Sequence, residues 1–194
     1  MKKLSSFYKD KIYVEVLSGG MILPKVPVHI SATAAYIESE YNDIEKLTGV
    51  RFGEDYLWHI KHSSQSDWYP NSEKPAIALC IFKEFFPELQ VSFAADIQYA
   101  LHFEGRDLTD DEAYRAILEK YNFSPDLFYT KLNDSEYREK AYYEFALCNN
   151  LKVSGYPCVL LQDSETKFFL LARGYTMYDE LEQRLKDCLS QISC

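Results

Sequence analysis

The stretch LKVSGYPCVLLQ, Leu151 to Gln162, decides how this chain is read. Ser154, Gly155 and Pro157 are turn formers, yet they run straight into the apolar residues Cys158–Leu161 of a short strand, Cys158–Gln162. Proline is tolerated at the first residues of a strand, where no ladder N–H is lost. Two readings stand: plain punctuation, or a cis-proline that holds backbone groups ready for another chain. Downstream, DSETK is a turn and FFLLAR a second strand, so residues 158–173 read as an antiparallel hairpin. Gly174 breaks it, Thr176 is placed to cap, and MYDELEQRLKDCL closes the chain as an amphipathic helix.

Upstream the pattern is different. Residues 1–10 read as the end of a helix with Leu4, Phe7 and Tyr8 on one face. IYVEVLSGG, from Ile12, carries the β-branched and aromatic signature of a strand stopped by a glycine pair. From Ser31 to about Asn150 nearly everything has helical period. Ser72 before EKPAIALCIF, Thr109 opening TDDE, Ser124 before Pro125, and Ser135 mark helix starts. Strand, then five or six helices, then strand–strand–helix, describes a small α/β sheet with a helical insertion. The boundaries expected are 1–30, 31–150 and 151–194.

The 194 residues suffice for one well-cored domain, or one with an insertion. A net charge of −9 argues against nucleic acid and anionic membrane surfaces, which require basic patches. No apolar run approaches the roughly 20 residues that span a bilayer, and the N-terminus has no secretory h-region behind Lys2 and Lys3. A cytoplasmic location is expected. The five cysteines, Cys80, Cys148, Cys158, Cys188 and Cys194, include no C-x-x-C pair, and an odd number excludes complete internal pairing. Buried or idle thiols are the expectation for Cys80, Cys188 and Cys194.

The order turn, proline, strand, turn, strand, Gly, helix resembles the C-terminal half of a thioredoxin-like fold. IYVEVLSGGM, FALCNNLKVSGYPCVLL and FFLLARGYTMYDELEQRL together resemble the DsbA-like thioredoxin family, in its cytoplasmic branch of predicted protein-disulfide oxidoreductases and isomerases. The resemblance implies an α/β, thioredoxin-like (DsbA-type) fold with a large helical insertion. It further implies a cis-proline at Pro157. Gly155, Tyr156, Pro157 and Cys158, with Ser18, Gly19, Gly20 and Met21, then form a substrate-binding face and Tyr156 offers its backbone to an extended substrate. The partner so implied is a thiol- or disulfide-containing protein, peptide or small thiol; no cofactor is expected, glutathione being the one candidate.

The sequence departs from that family at one decisive point. Its first strand and its C-x-x-C, whose helix N-terminus stabilises one thiolate while the second thiol resolves the mixed disulfide, are absent. No catalytic residue is therefore assigned. In the family arrangement the absent strand would lie between Ile12–Leu17 and Cys158–Gln162. The flanking strands then close up, another segment or chain fills the slot, or the native protein is longer than this sequence; the last is the expectation. A non-catalytic peptide-binding module and a glutathione-dependent isomerase or transferase are the alternatives.

Other residues carry weaker signals. Cys148 precedes Cys158 by ten positions on a helix reaching the same region, a pairing the sequence leaves open. Ser18–Met21 is either an anion-binding glycine turn or a strand-ending turn. His59 and His62, three apart with Glu54 and Asp55 upstream, lack a clear third metal ligand and read as surface histidines.

Overall fold

The computed structural model describes residues 1–192, so Cys194 lies outside the described residues. The chain divides into two compact units: Met1–Val14 with Ala146–Cys194, and Glu15–Phe145. The architecture is mixed α/β and mostly helical, with one two-stranded sheet among the described residues.

The first unit is built on the C-terminal hairpin. Strand β1, Cys158–Ser164, pairs antiparallel with β2, Lys167–Arg173, placing Cys158 opposite Arg173 and Leu161 opposite Phe169. The register slips between Val159 and Leu160, which leaves Leu171 as the extra residue of a bulge. Leu171 is buried, and its carbonyl accepts a 2.7 Å hydrogen bond from Arg184 Nη1. Arg184 belongs to the last helix, Tyr178–Ile192, whose Leu181 and Leu185 lie one turn apart on its buried face. They pack with Leu171, Ala172, and Leu4 and Tyr8 of the first helix, α1 (Lys2–Tyr8), into a small core. The last helix starts at Tyr178, with Met177 rather than Thr176 in the position before it.

The second unit is helical: α2 (Ser31–Thr48), α3 (Glu54–Lys61), α4 (Glu73–Phe85), α5 (Gln90–His102), α6 (Arg115–Lys120), α7 (Pro125–Leu132) and most of α8 (Ser135–Asn150). Its main core forms around α4, where every residue from Ala76 to Phe82 is buried. Phe82 stacks on Phe93 with centroids 3.9 Å apart. A second cluster joins Ile30, Ala34, Tyr56, Ile60 and Trp68. The helix after α8, in chain order, is α9 (Tyr178–Ile192).

Three sequence expectations are corrected here. Ile12–Leu17 forms no ladder: the Ile12 N–H donates to the Tyr8 carbonyl, and both main-chain groups of Val16 are bonded by side chains rather than by a neighbouring strand. Ser72 precedes α4, but its Oγ accepts from the Ile22 N–H, and the Glu73 N–H turns instead to Asn71 Oδ1. The capping box at Thr109 is not used: Thr109 Oγ1 donates to Asp107, and Asp110 Oδ1 accepts from the Glu112 N–H to open a single 3-10 turn, Asp111–Tyr114. At Ser124 the reading holds, with Oγ accepting from the Leu127 N–H and Pro125 in the first turn.

Candidate functional site

The sequence-assigned residues fall in both units. Gly155, Tyr156, Pro157 and Cys158 belong to the first, and Ser18, Gly19, Gly20 and Met21 to the second.

In the first unit the approach to β1 is made by the end of α8. Lys152 adopts a left-handed conformation (φ 55°), its N–H donates to the Asn149 carbonyl, and the Val153 N–H donates to the Cys148 carbonyl at 3.0 Å. That pair of bonds closes a helix C-terminus in the Schellman manner. The Tyr156–Pro157 peptide bond is cis. The Pro157 carbonyl accepts a 2.7 Å bond from the Gly174 N–H, which ties the strand opening to the end of β2. Gly155 has a negative φ, and a Cβ there would meet only Arg173 Cγ, at 3.9 Å. Neither conformation nor space therefore requires glycine at 155. Tyr156 is 37% exposed, and its phenol is pushed up in pKa by burial first, then by the nearby Cys148 and Cys158 thiols. Cys148 is buried, Cys158 half-buried, and both, like Cys80 and Cys188, are reduced thiols. β1 pairs on one side with β2 and carries no second ladder among the described residues.

In the second unit the Ser18–Met21 turn is held by a buried polar cluster. Gln90 Oε1 accepts from the Val16 N–H at 2.7 Å, and Lys83 Nζ donates to the Val16 carbonyl at 2.9 Å. Glu144 Oε2 accepts from the Ser18 N–H at 2.8 Å. Glu144 also forms an ion pair with Lys83 and accepts from Cys80 Sγ at 3.4 Å. Gln90 and Glu144 are among the buried polar residues, at 1% and 6% exposure. Burial, reinforced by the Glu144 charge, pushes the Cys80 thiol up to about 12, so at neutral pH it is an uncharged donor and not a nucleophile. Gly20 is left-handed (φ 62°), and a Cβ there would lie 2.8 Å from Leu23 and Phe145, so the turn requires glycine. Met21 is exposed.

Sequence reasoning missed Gln90, Lys83, Cys80 and Glu144. The available signal was a charge at core spacing: Glu144 follows Tyr137 and Ala141 on the buried face of α8, and Lys83 ends the apolar run of α4. The histidines serve packing. His59 stacks on Trp68 at 3.9 Å with Nδ1 2.8 Å from Ser66 Oγ, and His62 stacks on Trp58. Among the described residues no three metal-ligating side chains converge, and no helix is long and apolar enough to cross a membrane.

No family model matches the sequence, and no curated protein matches it. Solved structures do. The chain is similar to a candidate protein disulfide isomerase from Nitrosomonas europaea, with 19% identity over 98% of this chain and 88% of that one, at a TM-score of 0.83. It is also similar to the cytosolic disulfide reductase DsbM from Pseudomonas aeruginosa, with 22% identity over 92% and 84% of the two chains and a TM-score of 0.66. The structure of DsbM with GSH gives 23%, 91%, 84% and 0.64. The fold is thus the DsbA-like thioredoxin fold with its helical insertion.

Proposed function

We propose that this chain is a DsbA-type thiol–disulfide oxidoreductase-like protein whose contribution is to hold substrate, and that the redox cysteine pair is not supplied by this sequence. The substrate is an extended thiol- or disulfide-bearing peptide, or a small thiol such as glutathione, in the cytoplasm. The observation that carries the reading is the Gly155–Cys158 turn opening into β1, whose second side has no ladder among the described residues. An extended segment adds to such a side by main-chain hydrogen bonds, while neighbouring side chains select what it carries. The half-exposed Tyr156 ring and the Cys158 thiol stand at the head of that strand. Support of a second kind comes from the two similar proteins, one named as a disulfide isomerase and one as a disulfide reductase solved with GSH.

Chemically, one thiol at Cys158 can accept a mixed disulfide but has no C-x-x-C partner to resolve it. Exchange then stops at the mixed species, and turnover needs a second thiol from outside. This favours binding over catalysis for the chain by itself.

The test is calorimetric titration with reduced glutathione and with a reduced cysteine-containing peptide, run beside dithiothreitol-driven insulin reduction. Saturable binding that survives Cys158→Ser, with no acceleration of insulin reduction, is expected. Acceleration would mean that the chain is itself a redox catalyst; absence of binding to either ligand would end the reading.

A further inference from the structure

We infer that residues 15–18 form the edge of an incomplete sheet and that this edge takes an extended, neutral or basic peptide strand from another polypeptide. The inference does not rest on the thiol reading.

The geometry begins with Val16. Its N–H meets Gln90 and its C=O meets Lys83, and the next even residue, Ser18, points its N–H at Glu144. Both groups of one residue, and the amide two residues on, face the same way. That period of two is the signature of extended backbone. Three side chains from α5, α4 and α8 thus replace the partner strand on one side. The same period turns the N–H and C=O of Glu15 and of Leu17 to the opposite side. Neither residue makes a backbone hydrogen bond among the described residues. Leu17 is half-buried and the Glu15 side chain is 57% exposed. Four main-chain groups therefore stand in a row, two donors and two acceptors in strand spacing. A row of this kind is a template for an added strand.

The chemistry of the occupant follows. Only a backbone supplies donors and acceptors alternating at this spacing. A chain carrying −9 disfavours an acidic strand and a second copy of itself, and favours a neutral or basic one; the Glu15 carboxylate at the edge is itself 3.7 Å from Lys83 Nζ.

The probe is the peptide acetyl-Lys-Val-Thr-Val-Thr-Val-Lys-amide, titrated into the isotope-labelled chain and followed by amide NMR and hydrogen exchange. Saturable shifts centred on Glu15 and Leu17 are expected, with exchange of those two amides slowed at least tenfold. The peptide N-methylated at alternate residues should lose the effect. Leu17→Pro, which deletes an outward N–H that holds no bond, should weaken peptide binding at least fivefold with an unchanged circular dichroism spectrum. Equal binding by the N-methylated peptide overturns the inference, and so does protection of both amides in the chain alone. A dimer in sedimentation, with both amides protected at its interface, would replace the foreign strand by a second copy. Because the readout contains no thiol, its failure leaves the glutathione titration unaffected.

Discussion

Glu144 occupies a position where α8 otherwise buries apolar side chains: Tyr137, Ala141 and Phe145 around it are 1%, 0% and 5% exposed. A carboxylate is stable there because each of its oxygens has a donor, from Lys83, Cys80 and the Ser18 N–H. Burying two charges costs several kcal/mol, which their attraction offsets only when the geometry is complete. Removing one partner therefore does more harm than the pair does good. Glu144→Leu leaves the Lys83 ammonium only the Val16 carbonyl and the Glu15 carboxylate at 3.7 Å and takes the Glu144 acceptor from the Ser18 N–H, and a loss of about 1–3 kcal/mol is expected in urea unfolding. Glu144→Gln keeps an acceptor for Ser18 and should lose less. A loss below about 1 kcal/mol for the leucine variant would mean that water reaches Lys83 and restores its solvation.

At the scale of elements, the hairpin and the last helix were legible because their signals are local. Turn residues bound β1 and β2, and Leu181 and Leu185 repeat at helical spacing. The helix of α7 was legible for the same reason, through Ser124 and Pro125. Ile12–Leu17 was misread because β-branched residues report a half-buried extended backbone, while a strand exists only where another strand pairs with it. The bonds of Val16 and of Ser18 just after it come from Gln90, Lys83 and Glu144, up to 126 positions away in sequence, which no local pattern announces. The turn at Gly155–Cys158 that opens β1 was legible from its proline and glycine; the polar cluster under Ser18–Met21 was not. The end of α8 at Asn150 was legible, but the cap that closes it was not, because Lys152 holds the left-handed position usually given to glycine. A side chain there costs roughly 1 kcal/mol in conformational energy. Lys152 is exposed and the Schellman bonds are backbone only, so Lys152→Gly should raise the stability of the first unit by about 0.5–1 kcal/mol. Unfolding followed by hydrogen exchange at Val153 reads this directly. A drop in stability would show that the lysine side chain contributes contacts of its own.

For the whole molecule, the acidic balance of −9 is less informative about pH than two half-buried histidines are. His102 lies against Phe52 and Tyr56, at 5.5 and 5.2 Å between ring centroids, and its Nδ1–H donates to the Gln98 carbonyl. Burial lowers its pKa below the usual histidine value, with the Gln98 bond acting in the opposite sense. His59, stacked on Trp68, is lowered by burial as well, against the pull of Asp67, Asp107 and Asp55. A folded pKa below the unfolded value of about 6.5 means that the unfolded chain binds the proton first as pH falls. The stability from a neutral, half-buried imidazole is complete above about pH 6.5. It is lost progressively as pH drops from there toward the folded pKa, and the loss ends below it. The steepest slope one histidine can impose is about 1.4 kcal/mol per pH unit. Urea unfolding of the native chain should thus weaken between pH 7 and 5. His102→Gln keeps a donor for Gln98 but cannot take the proton, so its curve should be flatter over that window, and adding His59→Gln should flatten it further. Parallel curves for the native chain and both variants would place the acid sensitivity in the carboxylates instead, and its midpoint would then lie nearer pH 4.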